Sequence, residues 1–414
     1  MAGLRKTWRI AEFRALLVSY VINRAGDVVG ALALAVIVLA ATRSAIATAA
    51  LFLATQFVPG VVGPFLVARI GGTAPGRVLP VCYLVEACLF LVLAAIARHT
   101  TVGLIIALAF ADGTLAFAAR SVTRSTTAST LIPHDLMPEG KAAFNVALAA
   151  ATVAGPVLGG VLLALLGPTT ALAADGVSFL VAALLISCTP ALRAPVPKSE
   201  GSPGGTRRRH LRAAFGYVAG NASLRALVFG EGIAFVFFYL VVPVTVIYAT
   251  RSLHAGPAGY AAILASWGAG AVIGSTVHVR LARRVGHAGI LISTAAVAIG
   301  YLGTGLAPTL FVACCASVLG GVGNGTQWAS VETAVHQQVE EHFRLRVSAM
   351  LESMAALAPG VGIVLGGALT ALFSPRAAYL AAGAGLVALI ALAALTRTFA
   401  TGLRREAAAS LGSA

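Results

Sequence analysis

The longest polar stretch of this chain is PALRAPVPKSEGSPGGTRRRHLR, at residues 190–212. It is rich in Pro, Gly, Ser and Arg, a composition that predicts a flexible linker. On both sides the sequence is dominated by apolar stretches, each long enough for an α-helix to cross the ~30 Å hydrocarbon core of a bilayer. Six precede the linker and six follow it, at residues 13–41, 46–68, 78–97, 102–119, 143–166, 169–189, 226–249, 257–279, 288–306, 309–332, 347–372 and 376–396.

We number these stretches as spans 1 to 12. The sequence therefore predicts an all-α membrane protein with twelve transmembrane helices. Residues 1–189 would form one six-helix bundle, and residues 190–224 a cytoplasmic linker. Residues 225–414 would form a second bundle that ends in a short cytoplasmic tail.

The Lys and Arg residues indicate how the chain is oriented. Of the 29, all but five fall in alternate connections, the set that includes both termini and the linker. The exceptions are Arg24, Arg43, Arg98, Arg251 and Arg376. Cytoplasmic connections carry the excess of Lys and Arg, so we expect both termini on the cytoplasmic side of the inner (plasma) membrane. The basic clusters would contact anionic lipids at that face.

Composition excludes several classes of protein. Charged residues are 10% of the chain and hydrophobic residues 59%, whereas soluble domains carry about 25% charged residues. The basic residues form no basic face with interleaved aromatics, so we expect no nucleic-acid partner. A phosphate-binding G-x-x-x-x-G-K-[ST] motif is absent from the sequence, which disfavours an ATP-driven pump. The Cys and His spacings predict neither a metal site nor a disulfide framework, and we expect no cofactor and no enzymatic activity.

The two halves repeat short features at corresponding places. Such parallel repeats of six helices are the arrangement of major facilitator transporters, as two pseudo-symmetric bundles. The repeated features are RAL at 14–16 and 225–227, Arg69 and Arg280, and the Gly pairs at 159–160 and 366–367.

Residues 109–186 contain AFADG, ARSVTR, LIP, AAFN, AGPVLGG and ADGVSFL in that order. Together with FRAL at 13–16, GNG at 323–325 and RLRV at 344–347, they resemble the branch of the major facilitator superfamily that contains macrolide and enterobactin exporters. The resemblance runs from about residue 10 to 400. It implies drug:proton antiport by the major facilitator fold.

One departure from that family concerns its gate. The family's loop after span 2 usually reads G-x-L-A-D-R, and its Asp helps to latch the cytoplasmic gate through charge pairs. Here residues 63–77 read GPFLVARIGGTAPGR, which contains no acidic residue. The usual gating or full activity is therefore in question.

Ionisable residues at membrane depth are the main functional candidates, because an unpaired charge there costs at least ~2.5–3.5 kcal/mol. Arg24 and Asp27, three residues apart, lie on one helical face. They form either a structural ion pair or a carboxylate that takes up and releases a proton. The same alternatives apply to Glu86 and Asp112, which would otherwise make hydrogen-bonded helix contacts. For Asp175, early in span 6, a helix-capping or packing role is favoured over contact with substrate.

Other candidates are assigned by residue type and place. Polar and aromatic residues within spans are candidates for a substrate cavity, and charged residues near span ends for the gate. Small residues in span 5 resemble the family's antiporter motif, in which Pro156 would bend the helix. The cavity set is Asn23, Gln56, Tyr239, Asn324, Gln327 and Trp328; the gating set is Arg69, Glu231, Arg280, Glu332 and Arg346; the packing set is Gly155, Pro156, Gly159 and Gly160.

The sequence thus favours a secondary transporter that exports amphiphilic small molecules, such as drugs, antibiotics or siderophore-like metabolites, in exchange for protons. An uptake or facilitated-diffusion carrier is the first alternative, and it would need a more polar site. A membrane sensor or partner protein without transport activity is the second.

Overall fold

The structure is a computed structural model that describes residues 2–70, 73–97, 101–193, 215–285, 288–339 and 341–395. Within these ranges every regular element is helical and there is no β-strand. A short helix, Ala2–Arg9, precedes the first span. The expected all-α architecture is confirmed.

The long helices follow the predicted spans in order. Span 2 is interrupted by a π-helical turn at Leu53–Phe57, and span 7 ends in another at Tyr248–Ser252. The spans are Ala11–Thr42, Ala45–Ile70, Pro75–Ile96, Val102–Leu131, Met137–Leu165, Gly167–Ser187, Ser223–Ser252, Gly256–Val285, Ala288–Leu306, Leu310–Gln338, Glu341–Leu372 and Pro375–Leu395.

In the described part of the chain, eleven helices are long and apolar enough to cross a membrane. Span 10, Leu310–Gln338, is not among the eleven although it has 29 residues. Its second half contains Asn324, Thr326 and Gln327, whose side chains lower its apolar character. Polar residues in a helix of this length mark it for contacts with other helices rather than with lipid.

Large apolar side chains lie on the outer surfaces of the helices. Val146, Leu165, Phe311 and Leu372 are each at least 70% exposed. Exposed large apolar side chains occur on almost every long helix, which is unusual for a soluble domain. The exposure is consistent with helices whose outer faces contact lipid.

The chain divides into two compact units, Met1–Glu200 with Ala255–Ala265, and Gly201–His254 with Ser266–Ala414. In the first unit, span 1 packs on spans 5 and 6, and span 3 packs on span 6. In the second, span 7 packs on spans 11 and 12, and span 9 packs on span 12. The same three pairings therefore recur in each half, as expected for an internal repeat.

Span 4 differs most from its predicted bounds. Its predicted end was residue 119, before Arg120 and Arg124, but the helix continues to Leu131. A basic residue often marks the end of a span, because its charge avoids the hydrocarbon. In this protein Arg120 has an acidic partner on span 1, which allows the helix to carry it inside the bundle.

Candidate proton-coupling site

An ion pair lies near the middle of span 1. Arg24 donates from Nη1 to Asp27 Oδ2 at 2.8 Å, across a single helical turn. The side chain of Asp27 is 14% exposed and that of Arg24 is 28% exposed. The pair predicted from the spacing of three residues is therefore formed.

Arg120 of span 4 adds a second cation to this carboxylate. Its Nη1 atom lies 3.8 Å from Asp27 Oδ2, and its side chain is 34% exposed. Asp27 therefore lies between two guanidinium groups on different helices. Arg120 is not among the site residues predicted from the sequence, because the predicted span 4 ends at residue 119 and leaves Arg120 in the following connection.

Glu86 of span 3 is fully buried, with 0% exposure. Neither of its carboxyl oxygens accepts a hydrogen bond from any described residue. The carboxyl is within electrostatic range of Asp112, Asp27 and Arg120. Burial of an ionised carboxylate without a partner is very costly, so such a group is held most cheaply as the neutral acid.

Asp112 of span 4 and Asp175 of span 6 complete the cluster. Asp112 Oδ1 and Asp175 Oδ2 are buried and have no hydrogen-bond partner among the described residues. Asp175 Oδ1 accepts a hydrogen bond from Ser178 Oγ at 3.2 Å. Asp175 also lies within electrostatic range of Asp27 and Asp112.

The charges of this cluster do not balance when every group is ionised. Four carboxyls from spans 1, 3, 4 and 6 face two guanidinium groups from spans 1 and 4. Two acids are therefore in excess. Since net charge is expensive at membrane depth, the cluster is cheapest to bury when it holds two protons. We call these six residues the acid cluster: Arg24, Asp27, Glu86, Asp112, Arg120 and Asp175.

The small-residue motif of span 5 packs directly on span 1. Gly155 faces Val28, and a Cβ atom built on Gly155 would lie 2.8 Å from Val28 Cβ. Gly159 faces Leu32, with 2.6 Å between its Cβ position and Leu32 Cδ1. Pro156 lies inside the helix between them. This close approach, which a glycine allows, follows the stretch of span 1 that begins just after Asp27.

The predicted cavity residues of the first unit lie in two different environments. Asn23 is buried, next to Arg24 in the sequence. Gln56 is exposed and lies within the π-helical turn of span 2. Such turns occur frequently at functional sites, because they reorient side chains within a helix. Among these two, only Asn23 adjoins the acid cluster.

In the second unit, Glu231 and Gln327 form a buried pair. Gln327 Nε2 donates to Glu231 Oε2 at 3.0 Å, and the two residues are 7% and 6% exposed. Arg225, the basic residue at the start of the same helix, donates instead from Nη1 to the carbonyl oxygen of Ala219.

Aromatic rings form a contiguous cluster in the second unit. Trp267 stacks on Tyr301 at 5.2 Å between ring centroids, and Phe238 lies 5.9 Å from Trp267. Tyr239, half-buried, contacts Phe238 at 5.2 Å. Asn324 of span 10 is also half-buried. Aromatic faces and amides of this kind suit amphiphilic ligands.

The gating candidates are only partly described. Arg69 is exposed, at the last turn of span 2. The side chains of Arg280, Glu332 and Arg346, and that of the cavity candidate Trp328, lie outside the described residues. The role of the gating set therefore stays a prediction.

Among the described residues no group of three or more His, Cys, Asp or Glu side chains is placed to hold a metal ion. The four carboxyls of the acid cluster do not form such a group.

These features define a multi-pass membrane transporter of the major facilitator type. The family of transmembrane secretion effectors matches residues 6–409, and the chain belongs to this family. Its members are transporters and not enzymes, as the sequence predicted. No curated protein sequence matches the chain.

Solved structures of similar fold come from several transporters. A bacterial homologue of the human lysosomal transporter Spinster, inward-facing and occupied, is 14% identical with a TM-score of 0.72, over 95% of this chain and 98% of that one. The nucleoside transporter NupG is 11% identical with a TM-score of 0.67, over 94% and 99%. A bacterial homologue of the iron transporter ferroportin, inward-facing, is 14% identical with a TM-score of 0.65, over 92% and 98%. At these identities the similarity shows the fold alone.

Proposed function

We propose that the protein exports amphiphilic small molecules, such as drugs, antibiotics or siderophore-like metabolites, by proton antiport. The observation that carries this proposal is the acid cluster, with its two carboxyls in excess of the cations. A transporter has no catalytic use for buried carboxyls. Groups that gain and lose protons at membrane depth are the means by which such a protein can use a proton gradient.

The cycle follows from the cost of moving charge. When the cluster faces the outside, two protons neutralise it, and the neutral bundle can change conformation without carrying net charge through a dry state. When the cluster faces the cytoplasm, at lower proton concentration, the protons leave and a substrate enters. Arg24 and Arg120 keep Asp27 oriented throughout. Alternating access between these two states would export one substrate against its gradient.

The packing of span 5 supports exchange rather than uptake. The AGPVLGG segment resembles the antiporter motif, and its glycines lie against span 1, which carries Asp27. A change in the charge of Asp27 can therefore alter the packing of span 1 against span 5. The proposal includes the plasma membrane as location, both termini on the cytoplasmic side, and anionic lipids at that face.

Uptake of a small metabolite is the second candidate. The buried Glu231–Gln327 pair favours it, because two polar side chains that already pair at depth could recognise a hydrogen-bonding substrate. The resemblance of the fold to NupG, a nucleoside transporter, is compatible with this reading but carries no substrate information at 11% identity.

Ethidium transport in inverted membrane vesicles tests the proposal. We expect ethidium to accumulate when the vesicle interior is acidic, to leak out after a protonophore is added, and to release protons measured by acridine orange fluorescence. Asp27→Asn should abolish accumulation. The matched control is Asp135→Asn, which removes an exposed carboxyl from a turn of the same unit. Accumulation that persists after the protonophore, for ethidium and a panel of other amphiphiles, would contradict proton antiport.

A further inference from the structure

Asp175 lies where span 6 packs against two glycines of span 1. Its side chain is fully buried, with Oδ1 bonded to Ser178 Oγ at 3.2 Å and Oδ2 without a described partner. A capping role does not fit this position, because Asp175 lies nine residues into the helix Gly167–Ser187. Both of its unusual features, depth and the unpartnered oxygen, require another explanation.

The carboxyl is held in a notch that two glycines of span 1 leave open. A Cβ atom on Gly26 would overlap Asp175 Oδ1 and Ser178 Oγ, and one on Gly30 would overlap Asp175 Oδ2. Phe90 of span 3 closes the notch beside Gly30, with its Cε1 atom 2.6 Å from the same Cβ position. The notch therefore fits the carboxyl group and leaves no space in which water could hydrate a charge.

The charged groups around Asp175 are mostly acidic. Asp27 lies on span 1 between Gly26 and Gly30, and Asp112 and Glu86 act on the same site from spans 4 and 3. The cations, Arg24 and Arg120, are directed at Asp27 rather than at Asp175. Span 5, which also packs on span 6, contributes no charged side chain in its Ala142–Leu165 portion. The titratable groups within electrostatic range of Asp175 are therefore Asp27, Glu86 and Asp112. Those acids in turn interact with Arg24, Tyr83 and Arg120.

We infer that Asp175 is a second proton-binding site of this transporter, at which the bound proton holds span 6 against the glycine notch of span 1. A proton from water forms an O–H bond at Oδ2 and turns the carboxylate into a neutral acid, and its loss restores the carboxylate with no other bond change. The neutral acid fits a dry notch. The ionised form must be hydrated, so loss of the proton separates the two helices at Gly26 and Gly30.

The inference deepens the proposed function and rests on it, because it supplies one of the two protons that the acid cluster needs. It also assigns different tasks to two carboxyls. Asp27, paired with two arginines, would exchange its proton where the cluster opens to water. Asp175, on the packing surface, would convert its own protonation into a helix movement.

Infrared spectroscopy of the full-length protein in lipid vesicles tests this directly. Difference spectra between acidic and alkaline pH show the C=O bands of carboxylic acids that lose their protons. We expect Asp175→Asn to lose one band of a buried acid, with the remaining bands unchanged in number. Asp135→Asn, the exposed control, should keep every band of the buried acids. An Asp175→Asn spectrum with the complete set of buried-acid bands would overturn the inference.

A second pair of variants covers the case in which Asp175→Asn does not fold. Ser178→Ala keeps the carboxyl but removes the hydrogen bond to Oδ1, and we expect one buried-acid band to shift in frequency. Gly103→Ala, in a helix where a Cβ atom meets no neighbour within 4 Å, is the matched control and should shift none. Identical spectra of Ser178→Ala and wild type would count against the site.

Transport measured on the same vesicles separates this inference from the proposed function. If wild type fails to accumulate ethidium or any other amphiphile but Asp175→Asn loses its band, the proton site stands and the export proposal fails. If wild type exports in exchange for protons but Asp175→Asn has an unchanged spectrum, export stands and the Asp175 site fails.

Discussion

The two six-helix units share their helix pairings but differ in what they bury. The first unit holds the acid cluster, with four carboxyls and two arginines on spans 1, 3, 4 and 6. In the described part of the second unit, the buried carboxyl is Glu231, paired with the neutral amide of Gln327, and the same unit contains the aromatic cluster of Phe238, Trp267 and Tyr301. The two repeats thus share their helix packing but bury different kinds of polar side chain.

This difference indicates a division of work. Titratable groups concentrate in the first unit, where a proton can change the net charge. The second unit contains a cluster of aromatic rings and the amides of Asn324 and Gln327, and we expect this unit to bind the amphiphile with little change in charge. The predictions below test whether proton coupling and substrate binding can be damaged separately.

The largest expected effect is that of Asp27→Asn. The neutral amide imitates a permanently protonated Asp27, so we expect substrate binding and downhill exchange to survive while uphill export falls to background. Uphill and downhill ethidium fluxes in the same vesicles measure the two activities. The double variant Arg24→Gln with Asp27→Asn removes the buried cation that the single change leaves unpaired.

The outcome of that double variant decides between the two interpretations of the pair. Should Arg24 and Asp27 be only structural, the double variant would restore folding and full uphill transport together. A double variant that folds but cannot concentrate ethidium supports a proton role. Full uphill transport by Asp27→Asn alone would remove Asp27 from the coupling mechanism.

The second prediction concerns Glu231→Gln in the other unit. A Gln at position 231 can still accept the hydrogen bond from Gln327 Nε2, but it removes the negative charge that would attract the ethidium cation. Interactions with a charged group are worth about 1.5–3 kcal/mol, so we expect the apparent affinity for ethidium to fall roughly 10- to 100-fold. The ratio of protons to substrate should not change. Asp135→Asn serves again as the exposed comparison. A lower proton-to-substrate ratio in Glu231→Gln would break the proposed division between the units.

The third prediction compares the equivalent glycines of the two halves. An Ala side chain at Gly366 would overlap the backbone carbonyl of Leu240, whereas at Gly159 it would meet Leu32 Cδ1, the end of a flexible side chain. A side chain can move aside and a helix backbone cannot. We therefore expect Gly366→Ala to destabilise the protein by about 1–3 kcal/mol. Gly159→Ala should destabilise it by less, because the Leu32 side chain can move aside. At both sites the higher helix propensity of Ala offsets part of the loss.

Thermal unfolding of the purified protein measures both changes. Gly60→Ala, where a Cβ atom has no neighbour within 4 Å, is the control for the helix-propensity gain. Equal losses at Gly159 and Gly366 would mean that the packing of the two halves is more alike than these contacts indicate.

Much of the fold could be predicted from the sequence, because a membrane-spanning helix can be recognised from its local composition alone. Apolar runs of the right length located every long helix, and the i, i+3 spacing located the Arg24–Asp27 pair. The end of span 4 could not be found in this way. A membrane-edge arginine and a buried arginine look identical until the partner on another helix is known, and Asp27 is that partner for Arg120.

The site was harder to predict for the same reason. Asp175 was interpreted as a capping or packing residue, because its depth depends on glycines of span 1 that precede it by about 150 residues in the sequence. Glu231 and Gln327 were assigned to different roles, although the fold brings them to 3.0 Å. Residue type identifies candidates at membrane depth, and only tertiary packing shows which of them act together.

The smallest expected effect tests the gates at the ends of spans 2 and 8. Residues 63–77 contain no acidic residue, so Arg69 has no acidic partner within its own loop. Arg69 is exposed in the structure, and even an exposed ion pair contributes only about 0–1 kcal/mol to stability. We expect Arg69→Ala to reduce the rate of ethidium export less than Arg280→Ala, the equivalent change in the second half. Initial export rates at equal expression give the comparison, with Arg77→Ala as a control for the loss of a basic residue from the same connection. If Arg69→Ala is the more damaging change, Arg69 has an acidic partner outside its own loop. The two halves would then differ in the partners of their gating arginines, as they already differ in the side chains that they bury.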